Sequence, residues 1–176
     1  VIHHLEDVEQ MRNTIAAARK FGAPISLVLR ELDSTGMLDT AVENSGKIFI
    51  STELGGGGSV SPRTLRIAEN GIQNILRHFK VLPANSEPVP ETRFMETPDV
   101  GGYLMAPQEG LYETLVELGD PVKKGQSLGR IHSITHIDAP PVEVQSQIDG
   151  VLITRAGSAP VKNWDTIAVI AVDVDV

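Results

Sequence analysis

Apolar residues recur at helical spacing in the first half of the chain and at strand spacing in the second half. The helical spacing predicts a first helix that begins after Asp7, with Gln10 completing a capping box, and that ends at Gly22. Its apolar face consists of Val8, Met11, Ile15 and Ala18. A buried strand is predicted over residues 25–29, and a turn over residues 33–36 leads into a short helix.

A second strand and a long helix complete the first half. The β-branched and apolar residues 47–52 predict a strand, which is followed by Glu53, Leu54 and four consecutive glycines. Ser61 caps the long helix, and Pro62 occupies its first position, where a missing N–H costs nothing. The apolar stripe of this helix consists of Leu65, Ala68, Ile72, Ile75, Leu76 and Phe79. The alternation of helices and strands predicts an α/β fold with a parallel sheet at its centre.

The composition changes at residue 83. Residues 83–90 contain three prolines and predict an extended linker, after which the helical periodicity is absent. Short strands separated by Gly, Pro and Asp turns are predicted over residues 104–105, 111–118, 127–131, 142–144, 151–154 and 166–172. We therefore expect an α/β part over residues 1–82, a linker, and an all-β part over residues 91–176.

The all-β part contains an internal repeat. Residues 121–131 resemble residues 160–170, and each copy predicts a turn that leads into a strand. The first copy resembles the turn-strand signature of lipoyl and biotinyl barrel-sandwich domains through Gly119, Asp120, Val122, Gly125 and Leu128. Those domains carry their cofactor on a lysine between the two halves, and residues 125–161 contain no lysine. The resemblance therefore predicts an architecture and argues against a carrier function.

Charge and composition exclude several classes of function. The net charge of −8 comes entirely from residues 83–176, and no basic stripe is present to contact nucleic-acid phosphates. The absence of cysteine excludes disulfides, thiolate metal sites and cysteine nucleophiles. The apolar runs are too short for a membrane span, and a cytoplasmic location is the default expectation. Because the first residue is Val1, we interpret the chain as a piece of a longer or processed protein.

Glu53 is the strongest candidate for catalysis. It follows an apolar strand and precedes a glycine-rich turn, at the edge of an open α/β sheet where active sites form. A carboxylate in this partly apolar setting would serve as a general base and then as a general acid. The alternative is that Glu53 only caps the turn by accepting backbone N–H bonds. Gly55 and Gly56 would let the backbone approach a ligand closely, and the alternative there is a loose turn.

Arg30 is a second candidate for substrate binding. It ends the first long strand, and we expect it at the same edge of the sheet as Glu53. A guanidinium group at that edge would bind a substrate carboxylate through two parallel hydrogen bonds. A structural ion pair with Glu31 or Asp33 is equally compatible with the sequence.

The histidines are weaker candidates. His132 and His136 are four residues apart and close to Asp138, a spacing that would bind a metal on a helix. The surrounding β pattern and prolines favour an exposed loop instead. His3 and His4 are expected in a surface loop before the first helix.

Four short blocks carry a family resemblance. They are FGAP (residues 21–24), LVLRE (27–31), GMLDT (36–40) and ISTELGGGG (50–58). In this order they resemble the succinylglutamate desuccinylase/aspartoacylase family, a zinc-dependent and carboxypeptidase-like group of amidohydrolases. The likeness is strongest to its ectoine-utilisation branch, described as N-acetyl-diaminobutyrate deacetylases, and spans nearly the whole chain.

The resemblance implies a fold and an activity. The fold would be a partial carboxypeptidase-like α/β layer followed by an all-β barrel-sandwich-like domain that flanks the active site. The activity would be zinc-dependent removal of an acyl group from a small N-acyl amino acid, with Glu53 as the catalytic carboxylate and Arg30, Gly55 and Gly56 as candidates for substrate contact.

The zinc ligands of the family are not expected within these residues. They are a His-x-x-Glu pair and a later histidine, all upstream of the matching region, and the nearest pattern here, His3 to Glu6, precedes the first helix. We therefore expect this chain to pack against a missing N-terminal portion, with a homo-oligomer as a further option. The alternative function is a non-catalytic binding or adaptor module with a degenerate lipoyl/biotinyl-like fold, in which Glu53 is an ordinary turn residue.

Overall fold

The chain divides into two units. The computed structural model describes residues 1–30 and 36–176. Unit 1 comprises Val1–Met95 together with Val174–Val176, and unit 2 comprises Glu96–Asp173. Within the described residues, no helix has both the length and the apolar character needed to cross a lipid bilayer.

The helices of unit 1 begin and end at the expected residues. They are α1 (Val8–Phe21), α2 (Leu38–Glu43) and α3 (Pro62–His78). The Asp7 carboxylate accepts a hydrogen bond from the Gln10 N–H at 2.7 Å, and Gly22 ends α1 with a left-handed φ of 74°. The Ser61 hydroxyl accepts from the Thr64 N–H at 3.1 Å and caps α3. The turn predicted over residues 33–36 lies, except for its last glycine, outside the described residues.

The side chain of Gln10 does not complete the expected capping box. Its amide nitrogen donates instead to the carbonyl oxygens of Glu43 and Lys47, each at 2.8 Å. These carbonyls lie at the end of α2 and shortly after it, where the helix itself offers no N–H partner. This part of the capping prediction was wrong because the Gln10 side chain turns toward these two carbonyls and away from the Asp7 N–H, which is the donor in a capping box.

Two parallel strands and the helix between them form the centre of unit 1. β1 (Ile2–His3) pairs in parallel with β2 (Ile25–Leu29), and β3 (Arg93–Glu96) is the next strand after β2 in the sheet. The buried core of the unit consists of Ile2, Ala18, Val28 and Phe94. This β1–α1–β2 arrangement confirms the expected mixed α/β class.

Residues 47–52 do not form the strand that their sequence predicts. Ile50 packs against the core, but among the described residues only Ser51 forms backbone hydrogen bonds to a neighbouring strand segment, through Val1. The prediction was wrong because apolar and β-branched residues favour a strand without supplying the hydrogen-bonded neighbour that a strand needs.

The apolar stripe of α3 is covered along one side. Ala68 and Gly71 are buried, and a Cβ atom at Gly71 would overlap the ring of Phe21 in α1, so a glycine permits the close contact. The other side of the stripe is exposed: 48% of Leu65, 56% of Ile72 and 47% of Phe79 are accessible. α1 therefore covers only half of the apolar surface that the sequence predicts for α3.

The two units do not divide at the proline-rich linker. Val89 lies against Gly22, and the buried hydroxyls of Ser26 and Thr92 share a hydrogen bond of 2.8 Å. These contacts keep the end of the linker and the start of β3 in unit 1. The boundary expected at residues 83–90 therefore precedes the observed one.

Unit 2 consists of short antiparallel strands. They are β4 (Tyr103–Met105), β5 (Gly110–Thr114), β6 (Pro121–Val122), β7 (Ser127–His132), β8 (Val142–Gln145), β9 (Gly150–Arg155), β10 (Pro160–Val161) and β11 (Thr166–Asp173). β11 lies between β4 and β9, which also pairs with β6, whereas β10, β5, β7 and β8 form a second sheet in that order. No closed barrel occurs among these described strands, so the barrel-sandwich architecture stays a prediction.

The internal repeat of the sequence is visible in the hydrogen bonding of unit 2. Lys123 and Lys162 each donate their backbone N–H to the side chain three residues later. β6 pairs with the start of β9, and β10 pairs with the start of β5. At the corresponding position of the two turns, Gly125 has a φ of 83° and Trp164 has a φ of 71°. The two copies therefore share their turn geometry although one uses a bulky residue.

Thr14 provides a test of this packing. Its hydroxyl is the one buried side-chain polar atom without a hydrogen-bond partner among the described residues. Replacing Thr14 with Val keeps the shape and removes the unpaired group, so we expect the free energy of unfolding in urea to rise by about 1 kcal/mol. The matched control, Thr92→Val, breaks the buried bond to Ser26 and should lower it by about 1 kcal/mol. Changes of the same sign in both variants would contradict the assignment.

Candidate active site

Glu53 lies beside the start of β1. The Ser51 N–H donates to the Val1 carbonyl at 3.1 Å, and the Val1 amino group donates to the Ser51 carbonyl at 2.8 Å. Two residues that exchange both bonds in this way belong to antiparallel segments. Residues 47–52 therefore run opposite to β1, and Glu53 lies beyond Val1 along the strand direction.

The Glu53 carboxylate is exposed to solvent. Residues 51–60 are all exposed, so the described residues do not supply the partly apolar setting expected around Glu53. No hydrogen bond or ion pair to its carboxylate occurs among the described residues. Burial lowers the pKa of the Val1 amino group, and the nearby charge of Glu53 opposes that shift. The carboxylate thus lies close to the start of β1 and is free to contact a ligand.

A glycine turn with a largely left-handed backbone follows Glu53. Gly55, Gly57 and Gly58 have left-handed φ values of 99°, 64° and 69°, whereas Gly56 lies outside this region. The Gly56 carbonyl accepts a hydrogen bond from the Ser59 N–H at 3.4 Å, which closes the turn ahead of α3. The competing interpretation, in which the Glu53 carboxylate caps the turn, is not observed among the described residues.

Arg30 and Glu53 lie toward opposite ends of β1. Because β2 is parallel to β1, Arg30 follows the end at which Leu29 pairs with His3. The segment that carries Glu53 runs the other way and meets β1 at Val1. Val1 and His3 are separated by roughly 7 Å of strand, and Arg30 and Glu53 each lie further out. The expectation of a shared edge was wrong because the segment before Glu53 is antiparallel, which its sequence does not reveal.

His132 and His136 contact different partners. His132 Nε2 lies 2.9 Å from a carboxylate oxygen of Glu113, and His136 Nδ1 lies 3.0 Å from the hydroxyl oxygen of Thr135. In the described part of the chain, no group of three His, Asp or Glu side chains is placed to hold a metal ion. These residues therefore do not fit the zinc ion that the family resemblance implies.

His3 is not the surface residue that the sequence suggested. Its side chain is only 12% exposed, and Nδ1 lies 3.1 and 3.2 Å from the carboxylate oxygens of Glu43, which is 5% exposed. Nε2 lies 3.8 Å from Asp39. A carboxylate this buried needs a partner, and His3 supplies it by linking β1 to α2. No sequence motif indicates the contact between His3 and Glu43, because the two residues are 40 positions apart.

A model of the succinylglutamate desuccinylase/aspartoacylase catalytic domain matches residues 1–79. This range contains β1, the segment that ends at Glu53, the glycine turn and α3. Over this range the chain is similar to the succinylglutamate desuccinylase/aspartoacylase family. The resemblance found in the four sequence blocks is thereby confirmed.

The chain is also similar to a curated protein and to solved structures. The chain is 43% identical to an N-alpha-acetyl-L-2,4-diaminobutyric acid deacetylase of Halomonas elongata over 96% of this chain and 50% of that protein. A product-bound structure of the ectoine utilization protein EutE (DoeB) from Ruegeria pomeroyi is 39% identical and matches 97% of this chain and 52% of that chain with a TM-score of 0.91. A succinylglutamate desuccinylase/aspartoacylase from Rhodobacter sphaeroides is 33% identical, with coverages of 99% and 53% and a TM-score of 0.89. The chain thus spans about half the length of these relatives.

The backbone geometry of the glycine turn predicts how alanine substitutions change the stability of the protein. An alanine at Gly55 would have to adopt a φ of 99°, and we expect it to lower the free energy of unfolding by about 1 kcal/mol. Gly56→Ala is the matched control, because Gly56 has no positive φ and open space at its Cβ position, and it should change the stability by a few tenths of a kcal/mol at most. Equal losses in the two variants, measured by urea denaturation, would contradict this turn geometry.

The contact between Glu113 and His132 leads to a prediction about the pKa of Glu113. The hydrogen bond from His132 lowers the pKa of Glu113, with a smaller contribution from the charge of Arg130. A carboxyl whose pKa is lowered by folding adds stability above its unfolded pKa and loses that contribution as the pH falls through the folded pKa. In His132→Leu, the pKa of Glu113 measured by NMR should therefore rise toward its ordinary value. The pKa of Asp149, lowered mainly by the Lys124 N–H, should stay unchanged.

Proposed function

We propose that this chain is part of an amidohydrolase that removes the acyl group from a small N-acyl amino acid, with Glu53 as its catalytic carboxylate. The observation that carries the proposal is the exposed, unpaired carboxylate of Glu53 between the segment paired with Val1 and the glycine turn. The similarity to this family and the deacetylase and desuccinylase names of its relatives support this class of reaction.

In the proposed hydrolysis of the amide, one group takes a proton from water and later donates it to the leaving nitrogen. A water oxygen adds to the amide carbonyl carbon while the Glu53 carboxylate takes a proton from that water. Glu53 then donates the proton to the leaving nitrogen as the C–N bond breaks, which yields a free carboxylate and a free amine. General acid–base catalysis of this kind contributes about 10²- to 10⁴-fold to a rate. An exposed carboxylate without a protein partner is able to perform both transfers.

The glycine turn is the proposed contact for the substrate. Gly55 and Gly56 directly follow Leu54 and lack side chains, so a bound substrate could approach their backbone closely. Arg30 is left out of this proposal, because it lies toward the opposite end of β1 from Glu53.

The substrate and the metal come from outside the described residues. The diaminobutyrate deacetylase relative makes Nα-acetyl-L-2,4-diaminobutyrate the first substrate to test, with N-succinylglutamate as the second. The family resemblance implies zinc, and since the described residues do not form a metal site, its ligands would belong to the rest of the protein.

We further propose that unit 1 packs against another portion of the full-length protein. Its relatives are about twice as long as this chain. Among the described residues, none pairs as a strand with one side of residues 47–52. The exposed apolar line of Leu65, Ile72 and Phe79 runs along α3 at intervals of seven residues. Unpaired strand edges and apolar helix faces are ordinarily covered in folded proteins. A second copy of the chain is the alternative occupant.

The proposal is tested by replacing Glu53 with Gln in the full-length protein. We expect kcat for acyl release from Nα-acetyl-L-2,4-diaminobutyrate to fall by about 10³-fold, because glutamine cannot move the proton. Bound zinc, measured in the same samples, should be unchanged. The control is Glu9→Gln, which removes an exposed carboxylate from the first turn of α1 and should leave kcat unchanged.

Two results would contradict the proposal. Wild-type kcat in Glu53→Gln would show that Glu53 does not transfer the proton. No acyl release by the wild-type protein from either substrate would favour the non-catalytic binding module.

A further inference from the structure

The segment that leads to Glu53 is held at its two ends. At its start, the Gln10 side chain donates to the Lys47 carbonyl at 2.8 Å. At its end, Ser51 and Val1 exchange two backbone hydrogen bonds. Among the described residues, no backbone hydrogen bond involves residues 48–50, which lie between these points. The position of Glu53 therefore depends on a small number of directional contacts.

Apolar packing alone does not fix the position of this segment. A cleft of about 430 Å³ lies between α1, α3 and the segment. Its apolar wall consists of Ala17, Ile48, Ile50, Ile75 and Phe79. A slip of one residue along β1 would reverse the side-chain faces and move Glu53 by roughly 3.3 Å. Ile50 packs against the core of unit 1, but the cleft leaves the segment incompletely packed among the described residues, so hydrogen bonds contribute to holding its register.

Gln10 is placed to fix the register. Both of its side-chain bonds are 2.8 Å long, and their acceptors are the Glu43 and Lys47 carbonyls. The Glu43 carboxylate in turn contacts His3 in β1, the strand that continues from Val1. Gln10 therefore ties the start of the segment to α1 and, through Glu43 and His3, to the same strand that holds its end.

We propose that Gln10 is a positioning residue that holds the Glu53 segment in its catalytic register. This inference rests on the proposed function, because it assigns Gln10 a role in the geometry of that same site. A displacement of about 1 Å at a reacting group can cost about 10²-fold in rate. Loss of the Gln10 bonds weakens the attachment at the start of the segment, where the bond from the Lys47 N–H to the Val42 carbonyl at 3.3 Å remains. We therefore expect a loss in kcat of about 10-fold, smaller than a full displacement would cause.

The test is Gln10→Met in the full-length protein, because methionine keeps the length of the side chain and removes both donors. We expect kcat per folded enzyme to fall by about 10-fold and KM for Nα-acetyl-L-2,4-diaminobutyrate to stay within twofold. Amide hydrogen exchange at Ser51 should accelerate, since its bond to Val1 depends on the register. The control is Gln73→Met, where the side chain bonds only to Arg77 on the exposed face of α3, and it should change neither quantity.

Other outcomes overturn the proposal. An unchanged kcat, or a fall in melting temperature with normal kcat per folded enzyme, would make Gln10 merely structural. If Gln10→Met does not fold, Gln10→Asn removes the same bonds by shortening the side chain and is judged by the same criteria. Full activity of Glu53→Gln would refute the proposed function, whereas unchanged Ser51 exchange in Gln10→Met would refute the register role by itself.

Discussion

The pairing of Ser51 with Val1 is the contact on which the candidate site depends. Its two hydrogen bonds set the segment antiparallel to β1, whereas β2 runs parallel to the same strand. β1 is only two residues long, yet Ile2 is buried in the core of unit 1 and anchors it. The mixed directions place Glu53 near one end of this strand and Arg30 near the other.

A polar network supports this arrangement inside an otherwise apolar unit. Gln10, Glu43 and His3 link α1, α2 and β1, and the acceptors are carbonyl oxygens and a carboxylate that is almost fully buried. Groups of this kind are costly to bury without partners, so the network holds the elements in one relative geometry. Hydrophobic packing is less specific here, because an open cleft adjoins the segment and half of the α3 stripe is exposed.

Much of the fold could be predicted from local signals. The caps at Asp7, Gly22 and Ser61 act through neighbouring backbone groups, and each marks a helix end in the structure. The repeat in unit 2 was also predictable, because each copy forms its own turn. Strand direction, the missing ladder of residues 47–52 and the contacts of Gln10 and His3 depend on residues far away in the chain. A single sequence carries no local signal for these features, which is why Arg30 was expected at the wrong end and Gln10 was assigned only to a capping box.

The difference between local sequence signals and long-range contacts applies to the candidate site as well. Glu53 could be proposed as a candidate because its position before a glycine-rich turn is a local pattern that also resembles the family. The setting of its carboxylate could not, because residues 51–60 are exposed in the described structure and any cover has to come from elsewhere. The chain spans about half the length of its relatives.

The most direct measurement is a crystal structure of the full-length protein with the deacylated amino acid bound. If Glu53 delivers a proton to the leaving amine, its carboxylate oxygen should lie within about 3 Å of the amine nitrogen of the bound product. A product bound with its amine more than about 6 Å from Glu53, and with another acidic or basic side chain at hydrogen-bond distance, would show that Glu53 is not the proton donor.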